Sequence, residues 1–206
     1  VPAPAKGGRY HHGDLRTALI QVAVELISEH GVRGFSMAEA SRRLGVAVSA
    51  PYAHFADRED LLAAVAVHAC DVFYGEIRQG VGDQGDPAVR LASLAACYVR
   101  FAGYHRPLFE VLFMAGIDKH GHPEIEQAEL PLDEVLRSCV SAVAGEDQRA
   151  CDDLETAVEA TAHGHAMLLL DGAFAAGDPA VEEAAARAAA ATRALIEGRR
   201  LLRGPG

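Results

Sequence analysis

The chain has 206 residues, half of them apolar, no tryptophan and a formal net charge of −10. That length can bury a substantial core in one domain or two small ones, while the longest apolar runs, such as AMLLL at 166–170, are far too short to span a bilayer. Four widely spaced cysteines (Cys70, Cys97, Cys139, Cys151) form no C-x-x-C pair, which argues against a zinc ribbon or redox motif and for buried free thiols.

The first residues, VPAPAKGGRY, lack the apolar run of a signal peptide and read as a flexible tail over 1–8, so a cytoplasmic protein is expected. Charge is unevenly spread. Up to Arg58 seven Lys/Arg face five Asp/Glu, and the remainder carries twelve basic against twenty-four acidic residues. A mildly basic head on a strongly acidic body can attract phosphate locally while discouraging nonspecific adhesion to DNA.

Strand signals are nearly absent and helical periodicity recurs throughout. A first helix is expected over 13–30, with Leu15, Leu19, Val22 and Leu26 on one face and Gly31 as its stop. A second opens at Ser36, where S-M-A-E offers a capping box between Ser36 and Glu39, and closes at Gly45. A short third helix covers 48–55 and a fourth starts at Asp57 and runs to about Gly80. GVGDQGDP is the clearest break, with Asp86-Pro87 as cap and first turn of the next helix. Further helices are expected near 87–104, 106–115, 124–144, 148–176 and 179–202, punctuated by Pro107, Pro123, Pro131 and Pro179.

Two short helices joined at a glycine, braced by a longer one before them, satisfy the requirements of a helix-turn-helix, with the small Ser41 and Gly45 where the helices cross. Periodicity alone leaves a generic helical hairpin equally open. The detailed residues decide. G-x-x-x-F-S-M-x-E entering helix two, R-R-L-G-V at the corner and P-Y-A-H-F-A-D-R-E-D-L-L after it closely resemble the DNA-binding domain of the TetR family of transcriptional regulators, over residues 9–73. YVRFAGYHRPLFEVLFMAG and EATAHGHAMLLLDGAF are similar to the WHG type of C-terminal domain in that family, although Thr161 and Ala162 stand where a tryptophan commonly precedes the His-Gly pair.

The resemblance implies an all-α protein: an N-terminal three-helix helix-turn-helix domain and a C-terminal helical ligand-binding and dimerisation domain over 86–203. Helix three would lie in the major groove, with Ala47, Val48, Ser49, Ala50 and Ala53 toward the bases. Tyr52 and His54 match family positions that contact the DNA backbone, and packing on helices one and four is their alternative. Arg58 can meet a phosphate, and Ser36, Met37, Arg43 and the arm residues Arg9, His12 and Arg16 are lesser candidates. Family members usually carry a capping serine where this chain has Ala47. Pro51 belongs in a first turn, so Ser49 is expected to be the displaced cap, worth about 1 kcal/mol.

In the body, Tyr98, Phe101, Tyr104, His105, Phe109, Phe113, Met114, His163, Met167 and Asp171 are candidates for a ligand pocket, with an ordinary core as the alternative. The resemblance implies a small-molecule inducer but not its identity. The histidine pairs His120/His122 and His163/His165 show no matching carboxylate or thiolate cluster in the sequence, so no metal and no cofactor are expected. Ala184, Ala185, Ala188, Ala189 and Thr192 form a smooth face on the last helix, and by resemblance the last two helices build a homodimer. The function implied is a ligand-responsive repressor released from a palindromic double-stranded operator, with no membrane partner. An activator or a ligand-independent DNA binder is the alternative within the family. An enzyme or carrier is the alternative outside it, and no nucleophile–base pair or phosphate loop supports it.

Overall fold

The structure is a computed structural model that describes residues 12–82 and 85–199, with side chains from residue 15 onward. Eight α-helices follow one another: α1 (His12–Gly34), α2 (Met37–Leu44), α3 (Arg58–Gly80), α4 (Pro87–Tyr104), α5 (Arg106–Met114), α6 (Pro123–Ala144), α7 (Gln148–Leu170) and α8 (Asp178–Gly198). Short 3₁₀ turns lie at Ala50–Ala53 and Lys119–Gly121, and no strand occurs among the described residues.

Local chemistry sets most boundaries. Gly31, at φ 70°, interrupts the helical path of α1 where the sequence expects its stop. The Ser36 side chain caps α2 by accepting from Glu39 N–H at 3.2 Å, while the Glu39 carboxylate turns to Arg42, its Oε2 taking the Nε–H at 2.9 Å. The carboxylates of Asp57, Asp86 and Asp147 cap α3, α4 and α7. Helix α7 stops at Leu170, not near 176. Gly172 N–H and Ala173 N–H bond back to Leu169 and Leu168 carbonyls, which closes the last turn.

Buried apolar side chains from Leu19 to Ile196 form one connected cluster. Helices α1, α2 and α3 meet around Leu19, Leu26, Phe35, Phe55 and Leu61, and α5 packs against both α1 and α3. Helix α4 runs through the body, touching α3, α5, α6, α7 and, most extensively, α8. All four cysteines are buried free thiols, and burial pushes the Cys70 thiol up to about 12.

The last helix overturns one expectation. Ala184, Ala185, Ala188 and Thr192 are all 0 % exposed within a single protomer, and Ala189 is half-buried. The small side chains of this face let α8 lie close against α4, so Ala184, Ala185, Ala188 and Thr192 cannot form a surface for a second subunit. The approach is tight enough that a Cβ on Gly103 of α4 would come within 2.7 Å of Val181 Cγ2 on α8. Ala184→Leu should therefore overpack this contact and cost about 1–3 kcal/mol of unfolding free energy, measured by urea denaturation. Unchanged stability with altered oligomeric state would return these residues to the surface.

Candidate DNA-reading turn and ligand cavity

The third element of the helix-turn-helix is a single 3₁₀ turn, Ala50–Ala53, where a regular helix over 48–55 was expected. Pro51 has no N–H to continue an α-helical ladder. The Ala50 and Tyr52 amides instead bond three residues back, to Ala47 and Ser49 carbonyls at 2.8 and 3.2 Å. The bond to Ala47 puts the first turn at Ala47. Ser49 stands at the cap position with Pro51 two residues inside, as expected, but it already has helical angles (φ −80°, ψ −15°) and its side chain makes no cap bond, so its role as a side-chain cap is corrected.

Pro51 and Phe55 are buried and pin the turn inward, while Ala47, Val48, Ser49, Tyr52 and Ala53 are exposed on its outer side. Val48 is 62 % and Tyr52 54 % exposed, which for a valine and a tyrosine on a rigid turn is an open contact surface. Ala50 and His54 are half-buried. Met37 is buried in the head core, which corrects its assignment to a DNA-facing side chain, whereas Ser36 is exposed as the α2 cap.

Most of the described cations of the head are held within the chain, while Arg33 is exposed. Arg43 donates to both carboxylate oxygens of Glu29 at 2.8 Å, and Glu29 is held below the usual carboxylate range by that bond. The Arg16 guanidinium lies 5.2 Å from the Phe55 ring centroid. Arg58 donates to the carbonyls of Phe35, at 3.1 Å, and of Val32, and stacks over the Phe35 ring. This makes Arg58 a staple between the end of α1, the start of α2 and the start of α3. Arg9 lies outside the described residues, and of His12 only the backbone, opening α1, is described.

The body contains a cavity of about 410 Å³ between α3, α4, α6 and α7. Phe73 and Ile77 enter from α3, Leu94, Ala95 and Tyr98 from α4, and Phe113 closes one side. Helix α6 supplies Glu129, Leu132, Asp133 and Leu136, and α7 supplies Val158, Glu159, Ala160, Ala162 and His163. The Tyr98 hydroxyl and His163 Nδ1 are hydrogen-bonded at 2.8 Å, and burial pushes the Tyr98 hydroxyl well above its ordinary value.

Of the ten body candidates, the cavity brings together Tyr98, Phe113 and His163. Phe101 and Phe109 are fully buried core, Phe101 stacked on Phe73 and Phe109 on His163. His105 Nε2 pairs with Glu76 at 2.6 Å, and Met167 packs half-buried against the core. Met114 is exposed, Tyr104 donates to Glu182 and lines a separate open cleft with Gly103 and Val181, and Asp171 caps the end of α7. These other candidates are corrected as cavity residues. The acidic contribution of α6 was missed, because aromatic density drew attention to 98–114.

The histidine pairs separate in space. His163 faces the cavity and His165 donates to the Thr161 carbonyl. His122 stands beside Glu124 in the chain, and the fold brings Asp60 of α3 to the pair, so that one side-chain ligand atom from each of the three lies within 4.8 Å of the others.

A helix-turn-helix head with an exposed outer turn is joined by a shared helix to a helical body that contains a cavity, the architecture of a two-part DNA-binding regulator. Family profiles agree at both ends: bacterial regulatory proteins of the tetR family match residues 19–65, and the tetracyclin repressor-like C-terminal domain matches 91–195. The chain belongs to the TetR family and is a DNA-binding transcriptional regulator.

Among solved structures it is similar to a protein of unknown function from Rhodococcus sp. RHA1, at 26% identity and TM-score 0.70, over 91% of this chain and 98% of that one. PfmR of Thermus thermophilus, a TetR family transcriptional regulator, shares the fold at 18% identity and TM-score 0.65, over 91% and 98%. AibR, solved in complex with isovaleryl coenzyme A and operator DNA, does so at 17% identity and TM-score 0.65, over 85% and 96%. No curated protein matches the sequence. No helix among the described residues is long and apolar enough to cross a membrane.

The staple and the reading turn should separate in mutants. Arg58→Ala should lower unfolding free energy by about 1–2 kcal/mol, the worth of charge-assisted bonds to carbonyls, and leave the salt slope of DNA binding nearly unchanged. Ser49→Ala should stay within about 0.5 kcal/mol of the parent yet weaken operator binding. A lost unit of salt slope in Arg58→Ala, with stability intact, would make that arginine a phosphate contact instead.

Proposed function

We propose that the protein is a cytoplasmic homodimeric repressor that binds a palindromic operator and is released by a small molecule held in the α3–α4–α6–α7 cavity. In this reading residues 9–73 form the DNA-binding domain and residues 86–203 form a ligand-binding and dimerisation domain of the WHG type; the tail expected over 1–8 lies outside the described residues. The observation that carries it is that one helix, α3, starts shortly after the exposed turn, is tied to the head through its Asp57 cap and Arg58, and lines the cavity at Phe73 and Ile77. A ligand that prefers one position of α3 thereby prefers one position of the head.

Val48, Ser49, Ala47, Ala50 and Ala53 would contact bases, chiefly by apolar contact and shape, with Tyr52 and His54 on phosphates. Helix α6 offers a second route. Its middle lines the cavity, and in the loop before it Asp118 N–H donates to Glu59 Oε1 at 3.1 Å, next to the Asp60, His122 and Glu124 cluster. For the dimer, the outer ridges of α7 and α8 replace the buried alanines. Gly164 and Leu168 on α7, and Ala186, Ala190 and Ala194 on α8, recur four apart and are exposed, so another subunit's helices can approach closely.

Footprinting on the DNA flanking its own gene should show an inverted repeat whose half-sites lie one helical turn apart, about 34–36 Å. Absence of any protected site overturns the regulator reading, and a footprint that raises transcription makes it an activator. Ala190→Arg should convert a dimer into a monomer by light scattering and weaken operator binding at least about tenfold. A monomeric parent protein, or an unaffected variant, would remove this dimer face.

A further inference from the structure

The charge of the cavity's rim narrows the class of ligand, a step that rests on reading this cavity as the effector site. Phe73, Tyr98 and Phe113 give it an aromatic wall, and its volume suits a drug-sized molecule. Its ionisable side chains are otherwise all acidic apart from His163 and Tyr98: Glu129, Asp133 and Glu159 line it, and no lysine or arginine does among the described residues.

These three carboxylates are not equivalent. Lys119 pairs with Glu129, and Arg137 Nη2 lies 3.4 Å from Asp133. Glu159 has no cation within ion-pairing distance among the described residues. Burial and the nearby charges of Glu155 and Asp133 instead push its carboxyl up from the ordinary glutamate value. A carboxylate in that setting is stabilised by whatever positive charge arrives, and an anion arriving there meets Glu159 with no cation among the described residues to offset it. Aromatic faces add a cation–π attraction for the same charge.

We propose that the cavity takes a cation with an apolar or aromatic body, a lipophilic amine or onium ion, with its positive charge against Glu159 and its body over Phe73, Tyr98 and Phe113. The acidic residues of α6 then serve recognition as well as solubility. An isolated carboxylate beside an apolar wall distinguishes ligands by charge where the wall alone distinguishes them by size.

The test uses two ions of one shape and opposite charge, tetraphenylphosphonium and tetraphenylborate, titrated calorimetrically into the full chain without DNA at low ionic strength. The cation is expected to bind at least about tenfold more tightly, about 1.4 kcal/mol. Because the whole chain is acidic, cation preference alone does not locate the site, and the variants do. Glu159→Gln should remove most of the preference with an unchanged melting temperature, and Glu159→Lys should reverse it. Equal binding of the two ions, failure of both to bind, or full preference retained in Glu159→Gln overturns the proposal. Operator binding, followed separately by gel shift, keeps the two readings apart. Charge-selective binding that leaves DNA affinity unchanged upholds the ligand class and removes the inducer role from the cavity.

Discussion

The continuity of α3 is the constraint on which the rest of the structure depends. Its 23 residues make a rod about 34 Å long at 1.5 Å per residue. One end is fixed by the Asp57 cap and by Arg58, which ties the carbonyls of Val32 and Phe35 to it. The other end carries Phe73 and Ile77 into the cavity. A helix held at both ends moves as a unit, since bending it would break main-chain bonds that packing holds in place. The turn at Ala50–Ala53, with Pro51 and Phe55 buried, packs on α1 and α2 and leads into that helix.

The body works by a different kind of constraint. Helices α4 and α8 come together through alanines and Gly103, which fill little space and allow a close, extended contact. That contact leaves α4 rigid on one flank, so variation in cavity shape falls to α6 and α7, which supply most of its lining. Helix α6 contains Pro131, which lacks the amide for one rung of its ladder close to the cavity-lining Glu129 and Leu132. The helix that carries Glu129 and Asp133 is therefore also the one that lacks a main-chain rung beside the cavity.

Local features were the most legible in the sequence. Ser36, Asp57 and Asp86 cap helices where their neighbours say they should, and Gly31 and Gly45 take the positive φ that only glycine adopts cheaply. The family resemblance rests on the same stretch, because a helix-turn-helix is built from contacts close in the chain. The inward face of α8 was not legible. Alanines occur on both sides of that helix, buried at Ala184 and Ala188 and exposed at Ala186 and Ala190, so hydrophobic periodicity carries no direction. Nor was the acidic rim, which joins Glu129 and Asp133 to Glu159 across about thirty residues and two helices. The turn at Ala50–Ala53 falls between these cases. Pro51 announced an irregularity, but whether the first turn starts at Ala47 or Ser49 is decided by main-chain bonds rather than by the serine.

The electrostatics of the head sharpen what binding to DNA must rely on. Arg42 and Arg43 are held by Glu39 and Glu29, Arg58 by backbone carbonyls, and Arg16 lies over Phe55. Moving any of these four to a phosphate costs an existing contact, which among the described head arginines leaves only the exposed Arg33 without one. A reading surface of alanines, a valine, a serine and a tyrosine offers modest contact per head. In the proposed dimer, tight binding then requires both heads to engage at once, with the second event made nearly intramolecular by the first. Affinity obtained that way is lost as soon as the head spacing no longer fits. Weak individual heads and a shared rigid α3 are thus complementary: the first makes spacing decisive, and the second gives a ligand in the cavity a means to change it.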